Sequence, residues 1–145
     1  MTAPARTFTT ATEDETIALG ATLAAAWPRP CVVLLIGNLG AGKTTMAKGI
    51  AEGLGIARAD DVTSPTFPLI HEYGDASELF HIALYRLDTA AEVASLGLDE
   101  IFSLHAVVLL EWAERFPALL PHERIEIRIE ARDDEARVVT VTELT

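Results

Sequence analysis

Cys31-Val32-Val33-Leu34-Leu35-Ile36-Gly37-Asn38-Leu39-Gly40-Ala41-Gly42-Lys43-Thr44 carries the architecture of this chain. The first six residues are a short apolar, β-branched run, the composition of a buried strand. The next eight fit G-x-x-x-x-G-K-[ST], the phosphate-binding loop of nucleoside triphosphatases. Thr44 to Leu54 then reads as a helix. Strand, glycine loop and helix, in that order, are what phosphate binding requires. The glycines let successive backbone N–H groups point into one cavity, and the helix N-terminus adds free N–H groups and its dipole. On this pattern Asn38, Leu39, Gly40, Ala41, Gly42, Lys43, Thr44 and Thr45 form the nucleotide-binding set. Lys43 reaches the β- and γ-phosphates, and the Thr44 hydroxyl ligates Mg²⁺.

Such a site needs a carboxylate at the end of a second strand, to order Mg²⁺ or polarise the attacking water. Val107-Val108-Leu109-Leu110-Glu111 supplies it: an apolar run fit for a central strand, then an acid. Glu111 is therefore the second catalytic candidate beside Lys43 and a candidate metal ligand with Thr44, although a charge after a buried strand is also an ordinary strand end. Trp112 follows directly and is by default a core or rim aromatic. Thr63-Ser64-Pro65-Thr66 offers hydroxyls on an extended segment after the loop helix, where nucleotide-sensing switches lie. Ser64 and Thr66 are the switch candidates, and a loop merely stiffened by Pro65 is the alternative. His81 and Tyr85-Arg86 fall in an expected strand, where His81, Ala83 and Tyr85 would share a face and Arg86 the other. A structural role is the plainer reading of His81, and pairing with an acid suits Arg86 better than touching phosphate. Neither Asn-Lys-x-Asp nor Thr-Lys-x-Asp, the strings that read guanine, occurs. This favours ATP.

At 145 residues and 50% hydrophobic composition, residues 1–145 are expected to form one domain with a sizeable core. A first helix is expected from about Thr10 to Trp27, ending at Pro28-Arg29-Pro30. Phe67 to Tyr73 and Leu79 to Leu87 read as strands joined by a hairpin-type connection, and Thr89 to Leu96 as a short helix stopped by Gly97. Arg124 to Arg132 and Arg137 to Val141 alternate, as antiparallel closing strands with one wet face do. The expected fold is a mixed α/β sheet, parallel in its centre and flanked by helices. The net charge of −11 opposes direct binding to a nucleic-acid backbone, so in an RNA pathway a partner would hold the RNA. Cys31, the single cysteine, fits a reducing cytoplasm and a buried hydrophobic role. No apolar run is long enough for a membrane span, the first residues carry no signal-peptide pattern, and no Cys/His spacing suits zinc.

Taken together, these strings resemble the TsaE (YjeE) family, the small bacterial ATPases of tRNA threonylcarbamoyladenosine synthesis. Gly37 to Thr45 and Ser64-Pro65-Thr66-Phe67 carry the first part of the likeness. His81 with Leu84-Tyr85-Arg86-Leu87 matches the family's His-x-Asp-Leu-Tyr-Arg-Leu block. Glu92, Leu96-Gly97-Leu98 and Glu100 fit the next block, and Val108 to Trp112 the last. Thr16 and Leu19-Gly20 extend the likeness into the first helix, so that it spans roughly residues 7 to 142. The resemblance implies a P-loop α/β fold and slow, Mg²⁺-dependent ATP hydrolysis. It also implies TsaB and TsaD homologues as partners, with tRNA reached only through that complex. The family is similar in one respect that this chain lacks: Ala83 stands where the His-x-Asp motif has an Asp expected to help hold Mg²⁺ or its waters. Either Glu111 and Thr44 suffice, or Asp88 or Asp99 substitutes, or hydrolysis is weakened. Two other readings remain open at this level: a nucleotide-gated binding module with impaired hydrolysis, and a P-loop small-molecule kinase. For the kinase, Arg124, Arg128, Arg132 and Arg137 are spaced along closing strands rather than on a lid.

Overall fold

Residues 4–38, 40–63, 65, 70–74 and 78–145 are described by the structure, a computed structural model. The strands are β1 (Arg6–Thr10), β2 (Cys31–Ile36), β3 (Ile70–Tyr73), β4 (Leu79–Ala83), β5 (Val107–Glu111), β6 (Arg124–Ala131) and β7 (Arg137–Leu144). The α-helices are α1 (Glu13–Ala24), α2 (Lys43–Gly53), α3 (Ala90–Ala94) and α4 (Leu98–Phe102). All seven strands form one sheet in the order β1-β7-β6-β2-β5-β4-β3. The four central strands, β6, β2, β5 and β4, run parallel, and the outer pairings are antiparallel. This is the expected mixed α/β sheet with a parallel centre.

The reason for the parallel centre is the burial of β2, whose six residues are all inside. Val33 and Leu35 pack with Leu23, Met46, Ile50 and Leu109 under α1 and α2. Val32, Leu34 and Ile36 pack on the opposite face with Ile82, Val93, Leu98 and Phe116. A strand covered on both faces cannot alternate in polarity, which is why this stretch reads as a continuous apolar run. Helices α1 and α2 touch backbone to backbone. A Cβ added at Gly49 would lie 2.1 Å from the carbonyl oxygen of Ile17, so only glycine permits the approach. That contact fixes α2, and with it the loop before α2.

Several boundaries differ from the sequence expectation. The first helix starts at Glu13, not near Thr10, because Thr12 caps it by accepting from the Glu15 N–H at 3.1 Å. Thr10 belongs instead to β1, an unexpected edge strand paired with β7. β4 stops at Ala83, short of Leu87, because the Arg115 guanidinium donates to the carbonyls of both Leu84 and Leu87 at 2.7 Å. Those bonds hold the chain in a turn. β6 is antiparallel to β7 alone; its other neighbour is β2, to which it is parallel. The short helix after Thr89 ends at Ala94, and α4 follows Gly97, whose φ of 72° restarts the chain. Residues 67–69 of the expected strand before Tyr73 and residues 75–77 of the connection lie outside the described residues.

Candidate nucleotide-binding site

The chain leaves β2 at Ile36 and turns through Gly37 into the loop. A Cβ at Gly37 would lie 2.8 Å from the Ile129 carbonyl oxygen, so the backbone here runs close under β6. Inside the loop the Ala41 N–H donates to the Asn38 carbonyl at 2.9 Å. Gly40 and Gly42 take φ values of 79° and 112°, conformations L side chains rarely adopt. Gly42 also serves as N-cap of α2, with no side chain capping it. Nor does the first turn of α2 contain an acid. The contrast with α1 is informative, since α1 carries Glu13, Asp14 and Glu15 in its first turn and a threonine cap. The dipole of α1 is therefore answered within the chain, while the N–H groups and dipole of α2 are left for an anion.

Lys43 opens α2 with its side chain turned inward, 5% exposed. Among the described residues its ammonium has no hydrogen-bond partner. It lies instead over the ring of Trp112, 3.6 Å from the centroid. Burial pulls the ammonium below the usual lysine range, opposed by the carboxylates of Glu111 and Glu114. Trp112 holds its place with φ at 65°, a left-handed conformation costly for a bulky side chain. Strain of about 1–3 kcal/mol of this kind collects at functional sites.

Glu111 ends β5 and is 3% exposed. In register it faces Leu35 of β2 on one side and Ala83 of β4 on the other. Residue β-alternation puts it on the same face as Leu109, toward α2. One carboxylate oxygen is hydrogen-bonded to Nε2 of His81, which is fully buried two residues before Ala83. Nδ1 of the same ring has no partner among the described residues.

A cleft of about 400 Å³ opens above these groups, lined by Gly40, Gly42, Lys43, Thr44, Thr45, Pro65, Tyr85, Glu111, Trp112 and Arg137. It lies at the C-terminal ends of the parallel strands, where ligands of open α/β sheets bind. Of the sequence candidates, Gly40, Gly42, Lys43, Thr44, Thr45, Glu111 and Trp112 meet there, with Asn38 and Ala41 in the supporting turn. Leu39, Ser64 and Thr66 lie outside the described residues. His81 does not line the cleft but is hydrogen-bonded to Glu111, which does. It does not share an exposed face with Tyr85, because the strand ends between them. Arg86 is exposed, and its Nε donates to the Tyr85 hydroxyl at 2.8 Å; among the described residues it pairs with no acid. Asp88 and Asp99 are exposed and line no part of the cleft. Arg137, which the sequence puts on a closing strand rather than a lid, is the residue whose place at the cleft the sequence does not indicate. Placed on a closing strand, it nonetheless borders the cleft, and only the pairing of β7 beside β6 brings it there.

The groups present fit a nucleoside triphosphate and a hard cation. A buried ammonium lacking a hydrogen-bond partner, an uncapped helix N-terminus and a glycine cradle are what a polyphosphate would satisfy. Among the described residues no three His, Cys, Asp or Glu side chains converge as a metal cage. Mg²⁺ suits such a sparse site, because it is held by one or two protein ligands plus phosphates and water. Also among the described residues, no helix is long and apolar enough to cross a membrane.

Residues 10–139 match the family model described as threonylcarbamoyl adenosine biosynthesis protein TsaE. The chain is 47% identical over 135 residues to the tRNA threonylcarbamoyladenosine biosynthesis protein TsaE of Bacillus subtilis, covering 92% of this chain and 82% of that protein. With the protein of the same name from Streptomyces coelicolor it shares 41% identity over 121 residues, 78% of this chain and 80% of the relative. The crystal structure of Bacillus subtilis YdiB superposes with a TM-score of 0.81 at 38% identity, covering 100% of this chain and 88% of that one. With a family match over most of its length, and relatives this similar across most of theirs, the chain belongs to the TsaE family.

Proposed function

We propose that this chain is an ATPase that acts as an accessory subunit in tRNA threonylcarbamoyladenosine formation, coupling ATP binding and hydrolysis to the work of TsaB and TsaD homologues. The observation that carries the reading is the buried Lys43 ammonium, without a hydrogen-bond partner among the described residues, at the start of α2 and in one cleft with Glu111. The relatives' names supply the pathway.

In this reading residues 1–145 act as one P-loop domain. The loop from Asn38 to Thr45 binds the phosphates through its backbone. Lys43 leaves the Trp112 ring, contacts phosphate and stabilises the charge that develops in transfer. The Thr44 hydroxyl and Glu111 hold Mg²⁺, which when bound neutralises phosphate oxygens. Glu111 also orients the attacking water, and His81 fixes the rotamer from which it does so. Ser64 and Thr66 remain the proposed γ-phosphate sensors. The net charge of −11 suits a subunit that leaves tRNA to its partners.

One observation favours a second reading. Ala83, 1% exposed, is the register partner of Glu111, so the second carboxylate of the His-x-Asp motif is missing beside the first. A protein that binds ATP, changes partner affinity and hydrolyses poorly is consistent with that. Phosphate release by this chain, alone and with TsaB and TsaD homologues, with and without Mg²⁺, separates the two. Partner-stimulated release supports the ATPase. Binding without release under all conditions supports the nucleotide-gated binder, and absence of ATP binding defeats both.

A further inference from the structure

We propose that Arg137 is a positioning residue for the phosphate-binding loop, a brace from the β6–β7 hairpin that keeps the loop's N–H groups turned into the cleft. The inference rests on the nucleotide reading for its consequence but not for its geometry. For a glycine loop to aim N–H groups inward, some of its carbonyls must point outward, and a buried carbonyl needs a donor. Ala41 is 3% exposed, so water is a poor source. Arg137 Nε supplies the bond at 2.7 Å from a position 96 residues away in sequence. The contact is close on a second count. A Cβ at Gly42 would lie 3.2 Å from that same Nε, so the guanidinium lies against a loop residue whose φ of 112° already favours glycine.

The brace is stiff because its own support is over-determined. Nη1 of Arg137 donates to the carbonyls of Ala136 at 2.8 Å and Asp134 at 3.2 Å. The turn between the strands is closed by Arg132 N–H to Ala136 O at 2.8 Å and Ala136 N–H to Asp133 O at 2.9 Å. The same turn reaches α1, where the Glu13 N–H donates to the Glu135 carboxylate at 2.9 Å. Loop, hairpin and the start of α1 thus form one hydrogen-bonded unit. Lysine would keep the charge at position 137 but lose the planar fork that joins Ala41 to the hairpin.

The test begins on the nucleotide-free protein, by amide hydrogen exchange of the wild type, Arg137→Ala and Arg137→Gln. In Arg137→Ala the amides of Gly40–Thr44 should exchange at least about fivefold faster, with β2 and β5 amides unchanged. Arg137→Gln, which retains a donor, should fall between, and it serves alone if the alanine variant does not fold. Unchanged loop exchange would overturn the proposal. ATP titration follows: Kd should rise about tenfold in Arg137→Ala, because a loop no longer held in its binding conformation must be ordered again on binding. Weaker binding with unaltered exchange would mean that Arg137 acts by charge alone, and the brace would be wrong. Failure of the wild type to bind ATP would sink the nucleotide reading, while the exchange data still decide the brace.

Discussion

Replacing Lys43 with methionine should stabilise the nucleotide-free protein and cripple it as a nucleotide binder. Among the described residues the ammonium is buried without a hydrogen-bond partner. Leaving such a group unsatisfied costs about 1–3 kcal/mol or more. Its contact with Trp112, 3.6 Å from the ring centroid, returns up to about 2 kcal/mol. Methionine keeps the stem and recovers about 0.3–1.5 kcal/mol through sulfur–aromatic contact, without the charge. The balance favours Lys43→Met by about 1–2 kcal/mol, a rise in Tm of about 3–6 °C for a chain of this size. Bound phosphate reverses the order. Loss of a charged contact worth about 2.7 kcal/mol weakens ATP binding about 100-fold. At ATP near 1,000 times the wild-type Kd, the wild type gains about 4.1 kcal/mol and the variant about 1.4 kcal/mol. The wild type should then melt higher. The pH dependence has a defined sign. Burial sets the folded pKa of Lys43 below its unfolded value of 10.5. The wild-type penalty is therefore complete below the folded pKa, fades as pH rises through it and is gone above 10.5. The variant's advantage should vanish over that window, and titrations shared by both proteins cancel in the difference. Thermal melts at neutral and high pH, with and without ATP, check every step. A variant that melts below the wild type without nucleotide would refute the argument from burial, and equal ATP affinity would refute the role of the loop.

Ala83→Asp should raise Mg²⁺-dependent phosphate release and lower Tm when Mg²⁺ is withheld, since it sets a second carboxylate beside Glu111; a flat rate with partners present would show that Ala83 is not what limits turnover. His81→Ala removes the buried hydrogen-bond partner of Glu111 and should cost about 1–3 kcal/mol in urea unfolding, as an unsatisfied buried polar group does. A loss under about 1 kcal/mol would mean that Glu111 finds another partner or water. Gly49→Ala gains about 1 kcal/mol in helix propensity yet meets the Ile17 carbonyl at 2.1 Å, so a net loss of about 1–3 kcal/mol is expected in thermal melts. A variant as stable as the wild type would show that α1 slides freely over α2.

What the sequence made legible was whatever is local. The β2 run, the glycine frame and the start of α2 are contiguous, and their chemistry is readable without knowing neighbours. Glu111 was legible because an acid at the end of a wholly apolar run breaks its pattern. Cys31 likewise was read as a buried hydrophobe, and burial pushes its thiol up to about 11, well away from reactivity. Non-local facts were not legible. β1 is five residues with three threonines and one buried position, a weak strand signal that acquires meaning only beside β7. The stop of β4 at Ala83 depends on Arg115, which is distant in sequence from Leu84 and Leu87. The direction of β6 depends on a crossover, not on its own alternation. The contact of Arg137 with the loop is illegible for the same reason: nothing near it in sequence indicates that its guanidinium meets Ala41.

Among the described residues, the two side chains to which the proposed chemistry falls rest on different kinds of neighbour. Lys43 rests on an aromatic ring, and Glu111 is tied to His81. On the proposed function, ATP binding would be an exchange, in which the Lys43–Trp112 contact is lost as phosphate contacts form, and only the difference would appear as affinity. The two arrangements differ in character. A ring face is a weak substitute for phosphate, so Lys43 is easily recruited. A buried, charge-capable hydrogen bond is not easily given up, so Glu111 stays where β5 and His81 put it. The cleft therefore combines a movable binding group with a fixed carboxylate. In such a site binding outruns hydrolysis unless something completes the shell around the fixed carboxylate. Ala83 leaves the neighbouring place on β4 without an oxygen. If the chain is the ATPase proposed above, a partner protein that supplies the missing ligand or orders its water would turn a binder into a catalyst, and turnover would then depend on that partner.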